Sequence, residues 1–116
     1  MEQEKTTTSK SSTGLDENIG GLLAYLGSFV SGIILIFIEK DNQFIRFHAF
    51  QSTFLFGGLA IINLVIGFIP FFGAVAQFLL SPLMVILWIV TMYKAYKGER
   101  FKFPIVGDLA EDQLKK

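Results

Sequence analysis

The sequence has no cysteine, one histidine and three prolines, and over long stretches it has no charge. Without cysteine, disulfides, zinc–thiolate sites and thiol nucleophiles are excluded. One histidine cannot build a His-based zinc site. Neither sign of charge is in excess. Ten basic and ten acidic side chains in 116 residues sum to zero, which leaves no electrostatic footprint for nucleic acid. No His-Glu-x-x-His, Gly-x-Ser-x-Gly or Gly-rich phosphate loop occurs. These absences predict a non-enzymatic protein with no catalytic residue, cofactor, metal or nucleic-acid partner.

What is present is apolar surface. Hydrophobic residues make up 52% of the chain, 13 of the residues are Phe, and the mean hydropathy is +0.53. A soluble domain of this size needs a polar shell that pulls such an average below zero. The charges lie in three clusters: Glu2 to Glu17, Glu39 to Arg46, and Lys94 to Lys116. Between them, Asn18–Ile38 (21 residues) and Phe47–Tyr93 (47 residues) carry none. A helix rises about 1.5 Å per residue, so about 20 residues cross a hydrocarbon core of roughly 30 Å. The first tract fits one span, and the second fits two spans and a tight turn. The expected fold is an all-α integral membrane protein with three transmembrane helices, at about 19–38, 42–69 and 74–93. The lipid bilayer is its surrounding partner.

The expected division is a disordered polar tail over 1–18, a helical membrane domain over 19–96 and an amphipathic tail over 97–116. In the first helix Gly20, Ala24, Gly27 and Ser31, and beside them Gly21, Tyr25, Ser28 and Gly32, form a stripe of small and polar residues. Such stripes let helices approach closely in lipid. The second helix is longer than the membrane core, so its start should lie in the interface. Gly57 and Gly58 lighten it further in. Pro70 ends it and Gly73 permits a sharp bend. Pro82 falls inside the third helix, where it frees the carbonyl of Phe78 and should kink the helix; Ser81 is a possible donor to that carbonyl.

The most informative segment surrounds His48. On a helix, His48, Gln51, Ser52 and Asn63 share one face, a polar ladder descending from the interface. Gln77 and Ser81 on the third helix, and Ser28, Ser31 and Glu39 on the first, are its possible partners. Arg46 and His48 suit the headgroup region. The ladder has two readings. It is interhelical hydrogen-bonding glue, or it is a hydrated path with His48 as proton acceptor and Glu39 as its counterpart. Three spans put the N-tail with the Pro70 turn. Two basic residues then lie on that side and six near the membrane on the other, so the N-terminus is expected outside the cell membrane and the C-terminus in the cytoplasm.

The segments Gly21-Leu-Leu-Ala-Tyr-Leu-Gly27, Phe37-Ile-Glu-Lys40, Phe44-Ile-Arg-Phe-His-Ala-Phe-Gln-Ser52 and Phe103-Pro-Ile-Val-Gly-Asp-Leu-Ala110 resemble a known family. It is an uncharacterised family of small prokaryotic membrane proteins grouped with the twenty-kilodalton chloroplast inner-envelope import component (Tic-twenty-like). The resemblance implies a helical membrane fold of unknown molecular activity, with plant relatives associated with protein translocation and complex formation. The leading expectation is a self-assembling protein, or a subunit with other membrane proteins, linked to protein insertion or translocation. The alternative is an oligomeric channel or small-solute transporter lined by the polar face of the second helix.

Overall fold

The structure, a computed structural model, describes residues 11–115. These residues form five helices and no strand: α1 (Glu17–Leu26), α2 (Phe29–Ile38), α3 (Gln43–Gly67), α4 (Phe72–Tyr96) and α5 (Val106–Leu114). Two of them, α3 and α4, are long and apolar enough to cross a membrane.

The first uncharged tract does not form the single helix expected over 19–38. It breaks at Gly27 and Ser28 into two ten-residue helices. Ser28 sits at φ 61°, ψ −136°, outside the helical region. The two arms fold back on each other as a hairpin. Ala24 on α1 packs with Leu35 on α2, and Ser31 Oγ donates to the Ala24 carbonyl at 3.1 Å. At the open end, Ser12 N lies 2.8 Å from Glu39 Oε2, and Asn42 Nδ2 lies 3.1 Å from Glu17 Oε2. At about 1.5 Å per residue each arm reaches about 15 Å, half of a hydrocarbon core. The sequence reading failed here because a 21-residue apolar run does not show whether it is straight. Gly27 and Ser28 are weak helix formers, and the tip finds hydrogen-bond partners elsewhere. Ser52 Oγ donates to the Ser28 carbonyl at 2.8 Å, and Trp88 Nε1 donates to the Tyr25 carbonyl at 2.7 Å. A bent backbone survives away from water only with such partners.

Asn42 caps α3, its side chain accepting from Ile45 N at 3.0 Å. The connection to α4 is a γ-turn: Phe71 has φ 61°, and Phe72 N donates to the Pro70 carbonyl at 2.6 Å. The positive φ therefore falls at Phe71, not at Gly73. Gly73 serves close approach instead, because a Cβ there would run into the Ile66 carbonyl. Helix α4 continues through Pro82, and Ser81 Oγ donates to the Phe78 carbonyl at 3.0 Å. Gly20, Gly21 and Gly32 lie where α1 and α2 meet α3, with Ile45, Phe44 and the Ala49 carbonyl as respective neighbours. Among the described residues, a Cβ at Gly57 would meet only Phe29, and one at Gly58 would meet nothing within 4 Å.

The hairpin reverses the expected placement of the N-terminal segment. Ser12 and Thr13 lie against Glu39, at the opposite end of α3 from the Pro70 turn. The C-terminal segment returns to the same end, where Glu99 meets His48 and α5 packs along α3. The expected disorder of the tail lies outside the described residues for 1–10, as do Lys5 and Lys10; Ser12 and Thr13 are anchored.

Candidate functional site

The buried polar groups gather where α1, α3 and the segment after α4 meet. Tyr25, His48, Gln51 and Ser52 are all buried. They stand together because α3 places His48, Gln51 and Ser52 on one face, and the hairpin turns Tyr25 toward it. Their hydrogen bonds fix one arrangement. His48 Nε2 lies 2.9 Å from the Glu99 carbonyl, which only accepts, so Nε2 carries the proton. Nδ1 of the neutral ring then accepts from Tyr25 Oη at 2.7 Å. Tyr25 Oη in turn accepts from Gln51 Nε2 at 2.8 Å. The second Gln51 N–H donates to the Phe101 carbonyl at 2.7 Å, and Gln51 Oε1 accepts from Phe103 N at 3.0 Å. The rings of Tyr25, Phe44 and Phe47 meet His48 edge-on, with centroids 4.6–5.3 Å away, and the Arg100 guanidinium lies over Phe47 at 5.0 Å.

This cluster works as a clamp. Both His48 nitrogens are engaged, and three bonds from Gln51 close the network onto Tyr25 and the backbone of the C-terminal segment. Gln51→Leu keeps the volume but takes the partner from the partly exposed Phe101 carbonyl and the half-buried Phe103 N–H, at a cost of about 1 kcal/mol each. The segment from Lys97 to Ile105 should detach. Hydrogen exchange at the Phe103 amide is expected to speed up by at least about tenfold, and an unchanged rate would refute the clamp.

Glu39 and His48 are not brought together. The Glu39 carboxylate is buried and accepts from Ser12 N and Oγ, Thr13 N and Oγ1, Asp41 N and Asn42 N, at 2.8–3.1 Å. Arg46 does not reach out to headgroups from its Nη1, which donates to the Ile36 and Glu39 carbonyls at 3.2 and 2.6 Å. It thereby satisfies the open C-terminus of α2. His48 is equally withdrawn, 1% exposed. Ser52 and Ser31 serve the hairpin tip. Asn63 and Gln77 pair with each other far from the clamp, and Ser81 stays on its own helix.

Sequence reasoning placed Tyr25 in the stripe of the first helix without its polar role, and it missed Trp88, Ser12 and Thr13. The signal for Tyr25 was its place among glycines, where a phenol has no apolar purpose. The others bond to or from the backbone, and no spacing rule reveals such contacts. Cavities of about 650 and 370 Å³ border α2, but their walls are almost wholly apolar, with Phe29, Ile33, Phe54 and Leu109 in the first and Leu23, Ile34 and Leu35 in the second. Among the described residues, no three His, Asp or Glu side chains are grouped to hold a metal ion.

Comparison with known proteins gives this architecture relatives. A UPF0132 membrane protein of Methanocaldococcus jannaschii is 51% identical over 102 residues, covering 88% of this chain and 92% of its own. A second from that organism is 49% identical over 98 residues, covering 84% of this chain and 70% of its own. One from Archaeoglobus fulgidus is 41% identical over 100 residues, covering 86% and 97%. No solved structure matches. The membrane reading and the uncharacterised family are thus supported, under names other than that of the chloroplast import component. Residues 13–110 match the sequence model of the magnetosome magnetite crystal formation protein family (MamF/MmsF), and the chain belongs to that family.

Proposed function

We propose that this chain is a non-enzymatic membrane subunit that assembles with itself or with other membrane proteins. One observation carries the reading. The polar side chains of the clamp and of the Glu39 cradle bond to one another and to the backbone, whereas the far halves of α3 and α4 stand bare, with Ile61 65% and Phe78 77% exposed. Such a chain has its chemistry turned inward and its contact surface turned outward. A role in protein insertion or translocation is the finer reading; the matched relatives, named only as membrane proteins, add nothing to it. The mineral in the family's name belongs to the proteins that gave the name; among the described residues of this chain no three His, Asp or Glu side chains are grouped to meet it. The channel alternative loses its lining, because His48, Gln51 and Ser52 spend their bonds on Tyr25, the tail and the hairpin tip. Cross-linking in native membranes tests the reading. A chain that stays monomeric and partnerless there would sink it.

The same reading sets the topology. Two spans and a half-depth hairpin make an even number of crossings, so both termini face one side. Lys40, Arg46, Lys94, Lys97, Arg100 and Lys102 then share that side, while the turn at 68–71 has no basic residue. The positive-inside rule makes it the cytoplasmic side. The absence of native cysteine makes the test clean. In intact cells, Asp16→Cys and Asp112→Cys should both resist an impermeant thiol reagent, and both should react once the membrane is opened. Labelling of Asp16→Cys alone from outside would restore the three-span arrangement.

A further inference from the structure

Beyond the hairpin tip the outer side chains of α3 and α4 stand exposed, among them Ile61, Leu64, Phe78 and Leu79. Their surface there is apolar and suits lipid, except at one place. Gln77 Nε2 donates to the Asn63 backbone carbonyl at 2.9 Å and to Asn63 Oδ1 at 2.6 Å. A backbone carbonyl only accepts, so the Gln77 amide has its nitrogen facing Asn63, and the Asn63 amide turns its oxygen to meet it. Gly67 leaves the room for this, since a Cβ there would lie 3.0 Å from Gln77 Nε2.

Two groups are left over. Asn63 Nδ2 and Gln77 Oε1 have no hydrogen-bond partner among the described residues, and both side chains are only half-buried. The neighbouring turn is apolar, with Phe68 and Phe71 more than 70% exposed, so it belongs in the membrane rather than above it. The amide pair beneath it therefore lies in hydrocarbon, where lipid tails offer no hydrogen bond.

We propose that a second copy of this chain covers the bare half of the α3–α4 pair and closes these two bonds. The leftover groups are one donor and one acceptor, and that set is self-complementary under a two-fold axis. Asn63 Nδ2 of one copy donates to Gln77 Oε1 of the other, and the reverse bond forms by symmetry. The proposal rests on the reading of the chain as a self-assembling subunit and names the contact.

Single-molecule photobleaching of the full chain in phospholipid vesicles tests it. The wild type should bleach in two steps. The double variant Asn63→Leu/Gln77→Leu should dimerise roughly tenfold more weakly, the scale of interhelical hydrogen bonds in lipid. The exchange Asn63→Gln/Gln77→Asn, which keeps both amides, should retain most of the dimer. Trp88, the single tryptophan, is bonded to the hairpin tip, so its unchanged emission certifies that each variant is folded. A folded double-Leu variant that dimerises as well as wild type would overturn the contact and leave self-assembly standing. A wild type that is monomeric at every protein-to-lipid ratio would overturn both.

Discussion

Glu39→Ala is expected to release residues 11–16 from the bundle and to cost about 3–5 kcal/mol, because several donors lose a charged acceptor at about 1–3 kcal/mol each. Six donors converge on that carboxylate. They come from the start of the N-terminal segment and from the connection between α2 and α3, so this one side chain joins both ends of the hairpin. Alanine removes the acceptor from the backbone N–H groups of Ser12 and Thr13 and leaves Asp41 N only the Ser12 hydroxyl. Glu39→Gln retains one acceptor oxygen but points an NH2 group at several of the same donors, so it should lie between alanine and wild type. Thermal unfolding in detergent measures the loss, and proteolysis near Ser12 reports the release. A melting temperature within a degree of wild type would contradict the role.

The same cradle predicts an acid limit. Burial by itself would raise the Glu39 carboxyl, but the N–H groups of Asn42, Ser12 and Thr13 and the Thr13 hydroxyl outweigh it and hold it at about 2, below the usual 4.5. A group depressed on folding contributes stability that is fully present above its unfolded value and is lost as pH falls through its folded value. The contribution of Glu39 should therefore be intact above about pH 4.5 and decline between there and about pH 2. Glu39→Gln should flatten the curve in that window and nowhere else.

Gly73→Leu is the other large effect. The turn between the long helices is tight, and the Gly73 Cα faces the Ile66 carbonyl. A side chain there meets backbone, which has no rotamer to move into, so α3 and α4 must separate at that end. Overpacking of this kind typically costs about 1–3 kcal/mol, and the γ-turn at Phe71 has little freedom to absorb it. Gly58→Leu is the control, since nothing lies within 4 Å of a Cβ at that position. The first should lower the yield of folded protein severalfold in a detergent-solubilised chromatogram, and the second should leave the fold intact. Equal behaviour would show that the turn is looser than its geometry.

The sequence carried the fold class well. Charge-free tracts of 21 and 47 residues leave only lipid or a partner to face, and Pro70 punctuates the longer one where the chain does turn. Ser81 was readable as the donor beside Pro82. The polar face of the second helix was readable too, because helical spacing alone puts His48, Gln51 and Ser52 in line. What they touch was not readable. Gln51 binds backbone groups 50 and 52 residues away, and such contacts follow no local pattern. The placement of the N-terminal segment was not readable either, since the bend at Ser28 sets Ser12 and Thr13 at the Glu39 end of α3 rather than beside the Pro70 turn.

By itself the sequence carried the membrane character of this chain and placed its two long helices to within a few residues. Hydrophobicity and charge act residue by residue, so their pattern survives without coordinates. Only the tertiary structure decided that the first apolar tract doubles back at Ser28. A bend in lipid is stable only when other helices bond to its exposed backbone, and here those bonds come from Ser52 and Trp88, 24 and 63 residues away from the groups they satisfy.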